Sequence, residues 1–275
     1  MTPERDVVVI IGSGGMGVAA ARRLASGRHL VLAERSEDQL SGAKESLEAS
    51  GHSVEGHVVD VSDEGSVEEL VAVAGAAGRI RAIAHTAGVS PAMATAREIY
   101  EVDLLGTALV IEAFLPVASP GTSLICVASM AGHLATLSPA FERHLAVAPS
   151  RELLDHEDID LESDPATAYI VAKRANQLRV AGAARAWGAK GARLNSISPG
   201  VISTTMGRQE LDGPMGSYIR TMIEDSGVRR VGTAEDVADA IAFLVGPESS
   251  FITGNDLLVD GGCIASQRSG GTAPE

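Results

Sequence analysis

Cysteine is nearly absent from this 275-residue chain. Cys126 and Cys263 are too few for a disulfide framework or a cysteine-built zinc site, and no metal is expected. Cys126 lies in an apolar run and reads as a small buried residue. Aromatic residues make up only 3% of the sequence, against 45% hydrophobic residues overall. Thirty glycines, with abundant alanine and valine, point instead to tight turns and close helix–sheet packing. No run approaches the roughly eighteen consecutive apolar residues of a membrane-spanning helix. Positive charge is scarce, and the formal net charge is -14. A field of that sign repels phosphate backbones and anionic lipid heads, so neither nucleic acid nor membrane is an expected partner. The opening "MTPERDVVVI" has no long apolar stretch of the signal-peptide kind. The expectation is a cytoplasmic protein acting on a small molecule.

What is present is an alternation of apolar runs with helix-period segments. Strand-like runs occupy 6–11, 29–34, 53–61, 80–88, 122–129, 192–200 and 255–262. Helical patterns fall at 15–26, 37–50, 64–78, 96–115, 166–187 and 233–245. Strands without period-2 alternation, separated by helices, predict a parallel sheet covered on both faces. Right-handed crossovers make this a doubly wound α/β fold, here a seven-stranded sheet of Rossmann type. The whole chain reads as a single domain. One acidic, proline-containing segment, 138–165, breaks the rhythm and reads as one or two inserted short helices. Residues 266–275 read as a loose tail.

"GSGGMG" (12–17) matches G-x-G-x-x-G at Gly12, Gly14 and Gly17, with Met16 inside the turn. It follows a strand and opens a helix. A glycine-rich turn there lets the backbone approach a pyrophosphate, which the helix N-terminus attracts. The ordinary alternative is a tight turn with no ligand. Glu34 ends the second strand, where an acid accepts from both ribose hydroxyls and repels a 2′-phosphate, favouring NAD. Arg35 follows, and its guanidinium would suit NADP; the pair also reads as a solvated Glu–Arg couple. Asp60 and Val61 end the third strand near the adenine position, and Asp60 could equally cap the helix that starts near Glu64.

The chain has three tyrosines and three lysines, and "AYIVAK" sets Tyr169 four residues ahead of Lys173. On a helix these face the same way. A phenol with pKa ~10 is a poor base at neutral pH. A neighbouring ammonium favours the phenolate and turns it into a general base, or its conjugate into a general acid. Ser129 ends the fifth strand, at the edge where such sheets bind ligands, and its hydroxyl would hold a substrate oxygen. The alternatives are a turn serine and an amphipathic surface with an extended lysine.

Taken in order, these motifs resemble the short-chain dehydrogenase/reductase family, single-domain branch, over residues 6–262. "IIGSGGMG" resembles its glycine turn, one residue shorter than the commonest form. "HTAG" (85–88) resembles its cofactor-supporting turn, placing Thr86, Ala87 and Gly88 on the dinucleotide. "YIVAK" is its active-site helix motif. "NSISPGVISTTM" (195–206) resembles the segment after Pro199 and Gly200 that touches the nicotinamide end, with Ile202 and Thr204 the contacts. "FITGNDLLVDGG" (251–262) resembles its terminal strand. The resemblance implies that Ser129 polarises a carbonyl and Tyr169 transfers the proton. Lys173 holds the nicotinamide ribose and lowers the Tyr169 pKa. It also implies a homodimer or homotetramer.

Two departures stand out. Asp103 occupies the place of an asparagine that helps hold a water in the proton relay, and is a fourth candidate catalytic residue. Its alternative is a backbone-bonding role in a helix irregularity. Ser129 and Tyr169 are forty residues apart, and the extra length resembles that of bacterial 3α-hydroxysteroid dehydrogenase/carbonyl reductases. It would serve a subunit interface or wall the substrate pocket. Residues 204–228 would be a substrate lid, with Met206, Met215 and Tyr218 against an apolar ligand, and His133 would touch substrate after the serine turn. The leading expectation is an NAD-dependent enzyme acting on a hydrophobic secondary alcohol or ketone, steroid-like in shape. The alternatives are an NADPH-preferring carbonyl reductase and a catalytically weak nucleotide-binding regulator.

Overall fold

The structure is a computed structural model describing residues 5–269. The first half runs β1 (Asp6–Ile11), α1 (Gly15–Leu24), β2 (His29–Glu34), α2 (Glu37–Ala49), β3 (Ser53–Val58), α3 (Glu64–Ala77) and β4 (Arg79–His85). Next come α4 (Ala96–Ile99), a π-helical segment (Tyr100–Leu105), α5 (Gly106–Phe114), β5 (Ser123–Val127) and a 3₁₀ turn (Met130–Leu134). Then follow α6 (Pro139–Val147), α7 (Ser150–Leu153), α8 (Pro165–Ala189) and β6 (Arg193–Pro199). The chain closes with α9 (Thr205–Asp212), α10 (Gly216–Glu224), α11 (Ala234–Val245), β7 (Asp256–Val259) and α12 (Cys263–Arg268). Among the described residues no helix is long and apolar enough to cross a membrane.

All seven strands are parallel, in the order β3-β2-β1-β4-β5-β6-β7. The pleat explains why β1 is apolar throughout. Val7, Val9 and Ile11 face one core with Leu70, Phe114 and Trp187, while Val8 and Ile10 face the other with Leu24, Val237 and Ile241. The strand order reverses between β1 and β4, which opens a crevice beyond their carboxyl ends. Gly12 follows one of these strands and Thr86 the other.

The inserted segment forms α6 and α7, and Phe141, Leu145, Leu153 and Ile159 build a third core with Ile99, Tyr100, Leu104 and Val171. Buried Arg179 of α8 fastens it. Its guanidinium donates to the Leu145 and Ala148 carbonyls at 3.2 and 2.9 Å and to Glu112 Oε1 at 2.8 Å. The segment therefore packs on α8, in the same apolar cluster as Tyr169 and Val89. The tail differs from expectation, because α12 carries the chain in helical form through Arg268. Residues 270–275 of that tail lie outside the described residues.

Candidate active site

The crevice is a groove of about 850 Å³ lined by the glycine turn, Glu34, Asp60, Val61, Thr86 to Gly88 and Thr204. Gly12 takes φ +98, which favours glycine, and a Cβ there would stand 2.6 Å from the Ala87 nitrogen. A Cβ on Gly17 would overlap the Gly12 carbonyl oxygen. Gly14 is different: it is the N-cap of α1, makes no side-chain cap, and a Cβ would project into open space. The first N–H groups of α1 thus face an open cradle, a fit for a pyrophosphate. Thr86 braces the turn, its hydroxyl within 3.1 and 3.0 Å of the Ile11 and Gly12 carbonyls.

Glu34 lies at the adenosine end. Its Oε2 accepts the Ser13 N–H and hydroxyl at 2.8 and 2.9 Å, and its Oε1 accepts the Arg35 and Ser36 N–H groups at 2.8 and 3.3 Å. Ser13 escaped the sequence reading, although it lies within the turn. Arg35 also lines the groove, from an exposed position. Asp60 Oδ1 accepts from Ser62, and Asp63 is the residue that caps α3, so the capping alternative for Asp60 fails.

Tyr169 and Lys173 share a face of α8, with Lys173 Nζ 5.3 Å from the phenol ring centroid. Lys173 is 5% exposed and Tyr169 is half-buried. Ser129, two residues past β5, caps the 3₁₀ turn, its hydroxyl accepting the Ala131 N–H at 3.2 Å, and its neighbourhood to Tyr169 favours the phenolate. Asp103 is fully buried in the π segment; its Oδ1 accepts the Val89 N–H at 2.9 Å and its Oδ2 faces Lys173 Nζ at 3.3 Å. Such π turns recur at functional sites. The Asp103 carbonyl accepts the Thr107 hydroxyl at 2.8 Å, and its carboxylate does two things at once, bonding backbone at Val89 within this helix irregularity and facing Lys173. A Cβ on Gly88 would come within 2.8 Å of Asp103 Oδ1 and 3.2 Å of Lys173 Nζ.

The electrostatics depart from the sequence reading. Burial pushes the Tyr169 pKa up, and Lys173 pulls against it without prevailing, because Asp103 and Glu210 add to the rise. Lys173 thus acts on the phenol in the expected direction, while burial, Asp103 and Glu210 act against it. Lys173 itself is held above its ordinary value: burial opposes its charge, but Asp103, Tyr169 and Glu210 outweigh it. Burial raises Asp103 against the pull of Lys173.

Other candidates separate. Thr204 and Met206 line the groove, and Thr204 also caps α9. Pro199 closes β6, Gly200 packs against Asp260, and Ile202 is buried in the core beside Ile197, so these three shape the backbone behind the groove. Met215 and Tyr218 stand exposed, and the Tyr218 hydroxyl accepts from Gln267 of α12 at 3.2 Å. His133 is turned to β7: its Nε2 pairs with Asp256 Oδ2 at 2.8 Å. Asp256 Oδ1 accepts the Ser196 and Ser198 hydroxyls, and Gln177 donates to Ser198 Oγ at 3.0 Å and towards the Ser129 carbonyl at 3.4 Å. His133 therefore supports the serine turn from behind. Gln177 and Asp256 left no trace in the motif spacing. Glu210 left none either, since it lies on α9, a helix that the structure alone shows.

The profile described as "short chain dehydrogenase" matches residues 6–139, and that described as "Enoyl-(Acyl carrier protein) reductase" matches 161–263. The stretch between them coincides with α6 and α7. The short-chain dehydrogenase/reductase bsc3 of Alternaria brassicicola is 35% identical, covering 95% of this chain and 97% of its own. The chain belongs to the short-chain dehydrogenase/reductase family. As a member of that family it is a nicotinamide-dependent oxidoreductase. The 3-alpha-hydroxysteroid dehydrogenase/carbonyl reductase of Comamonas testosteroni is 31% identical, over 81% of this chain and 91% of its own. In fold, the chain is similar to a blue fluorescent protein from a metagenomic library solved with NADPH. That likeness has a TM-score of 0.73 at 24% identity, over 94% of this chain and 97% of that one.

Proposed function

We propose that this oxidoreductase interconverts hydrophobic secondary alcohols and ketones, steroid-like molecules among them, with NAD(H) favoured over NADP(H). The observation that carries the chemistry is the convergence of Ser129, Tyr169 and Lys173 at the carboxyl edge of the sheet, beside the groove that fits a dinucleotide. When bound there, the nicotinamide exchanges a hydride with a substrate carbon. The chain supplies the rest. Ser129 donates to the substrate oxygen, and Tyr169 gives or takes the hydroxyl proton. Lys173 fixes the charge beside the phenol.

The preference for NAD(H) rests on Glu34, a carboxylate pinned by four donors where a 2′-phosphate would meet like charge. The Ser13 hydroxyl is the donor that a ribose hydroxyl would displace. An apolar substrate is favoured by Val89, Met93 and Met206, which line the groove beside the lid. The steroid-like shape draws support from the Comamonas relative. A homodimer or homotetramer is the proposed assembly. The test is a screen of cyclic ketones and secondary alcohols with each dinucleotide, following nicotinamide absorbance. Turnover on apolar cyclic ketones with NADH supports the proposal; turnover confined to sugars or charged acids, or clearly tighter NADPH, overturns it.

A further inference from the structure

A chain of side-chain contacts joins the inserted segment to Ser129. Glu142 of α6 accepts two bonds from Arg174 of α8 on its Oε1, from Nε at 2.9 Å and from Nη2 at 2.6 Å. The third arm of that guanidinium, Nη1, donates to Gln177 Oε1 at 3.2 Å, one turn along α8. This orients the Gln177 amide: with its oxygen on Arg174, its nitrogen is left for other acceptors. Buried Gln177 donates from Nε2 to Ser198 Oγ of β6 at 3.0 Å and towards the Ser129 carbonyl at 3.4 Å. The Ser198 hydroxyl donates to Asp256 Oδ1 at 3.0 Å, and Asp256 Oδ2 pairs with His133 Nε2 at 2.8 Å. The chain Glu142–Arg174–Gln177–Ser198–Asp256–His133 thus starts in the insertion and ends in the 3₁₀ turn that Ser129 caps.

The turn sits on α8 with no space to spare. A Cβ on Gly132 would stand 2.8 Å from both the Arg174 backbone nitrogen and Gln177 Nε2. The Ser129 carbonyl accepts the Gly132 N–H at 3.0 Å as well as facing the Gln177 amide. A shift of Gln177 therefore moves the backbone from which the Ser129 hydroxyl projects. The two family profiles stop at 139 and resume at 161, so Glu142 lies in a stretch that neither covers.

We propose that Glu142 and Arg174 are positioning residues for Ser129, and that the insertion serves the active site by fixing the serine turn. This rests on the alcohol–ketone reading above, in which Ser129 donates to the substrate oxygen. A turn held in one place keeps that hydroxyl aimed, so no ordering is left for the reaction itself to supply. Without Glu142, the part-buried Arg174 is released, and Gln177 loses the partner that keeps its amide nitrogen on the serine turn.

The primary test needs no substrate. Hydrogen–deuterium exchange of the peptide spanning the turn reports the Ala131 and Gly132 N–H groups, which both close onto Ser129. Glu142→Ala should raise that exchange by about threefold or more, the scale of coupling carried through packed side chains. Glu142→Gln keeps an acceptor for Arg174 and should loosen the turn less. Exchange unmoved by Glu142→Ala overturns the proposal. Glu162→Ala is the control, since it breaks a different ion pair of the inserted segment, with Arg97 at 3.0 Å. Equal loosening there would mark a general effect of the insertion and overturn the proposal. With a ketone from the screen, Glu142→Ala should lower kcat by about threefold or more and leave ketone KM and dinucleotide affinity within about twofold. A rise in KM with kcat preserved overturns the proposal. Gln177→Met already removes the link, so adding Glu142→Ala to it should lower kcat no further; a fully additive loss overturns the proposal. Glu142→Ala decides alone if Gln177→Met does not fold. If no ketone turns over while the turn loosens as stated, the alcohol–ketone reading fails and the brace stands.

Discussion

Asp103 Oδ2 and Lys173 Nζ face each other at 3.3 Å where side-chain exposure is 0% and 6%. A buried ion pair is costly to form and more costly to halve, because the remaining charge has neither water nor partner. The pair therefore answers to stability as well as to chemistry.

Lys173→Met should lower unfolding stability by about 3 kcal/mol or more, since it leaves Asp103 uncompensated. Adding Asp103→Asn to that variant should regain part of the loss. Urea denaturation of the two single variants and the double variant gives the coupling. A strictly additive double variant would show that the pair is not energetically coupled.

Gly14 and Gly17 should respond oppositely to alanine. A Cβ on Gly17 overlaps the Gly12 carbonyl oxygen, so Gly17→Ala should distort the turn and lower both thermal stability and dinucleotide affinity. Gly14→Ala meets no protein atom, so it should fold as well as wild type and lose affinity only. Paired melting and dinucleotide titration of the two variants distinguish these outcomes; a Gly14→Ala protein that melts early contradicts the account.

Glu34→Gln removes the charge and keeps one acceptor oxygen, enough for Ser13 or for Arg35 but not for both. The ratio of NADP(H) to NAD(H) affinity should rise by about tenfold, the scale of one modest charge interaction. Calorimetric titration with both dinucleotides checks it, and an unchanged ratio removes Glu34 from cofactor choice.

His133 should behave as a support. His133→Ala should lower kcat through the Ser129 turn and leave KM within about twofold, because an interaction with the catalytic group alone acts on turnover. Asp256→Asn should act in the same direction, as it holds the other end of the pair. A large rise in KM with kcat preserved would instead place His133 on the substrate.

What the sequence makes legible follows the reach of each interaction. Tyr169 and Lys173 are joined by one helical turn, so their spacing alone puts them together. Gly12 and Gly17 are joined by one tight loop, and the seven strands by their apolar runs. Asp103 and Lys173 are seventy residues apart, and only the packing of the π segment against α8 brings them together. That is why the helix spacing reads only part of the phenol's environment. The spacing shows the ammonium but neither carboxylate, and it carries no measure of desolvation. His133 is similar, since its partner Asp256 lies on the last strand and no local pattern links them. The insertion shows itself by its composition, while its docking on α8 depends on Arg179, which looks like an ordinary helical arginine.

The central claim is that the Tyr169 hydroxyl moves the proton in a dinucleotide-dependent reaction. The most direct measurement compares wild type with Tyr169→Phe in two assays: dinucleotide dissociation constant and turnover on a ketone from the screen. The account predicts dinucleotide binding within about twofold and turnover lowered by about a hundredfold or more, the contribution of a positioned proton donor. A Tyr169→Phe protein that turns over at the wild-type rate would contradict it.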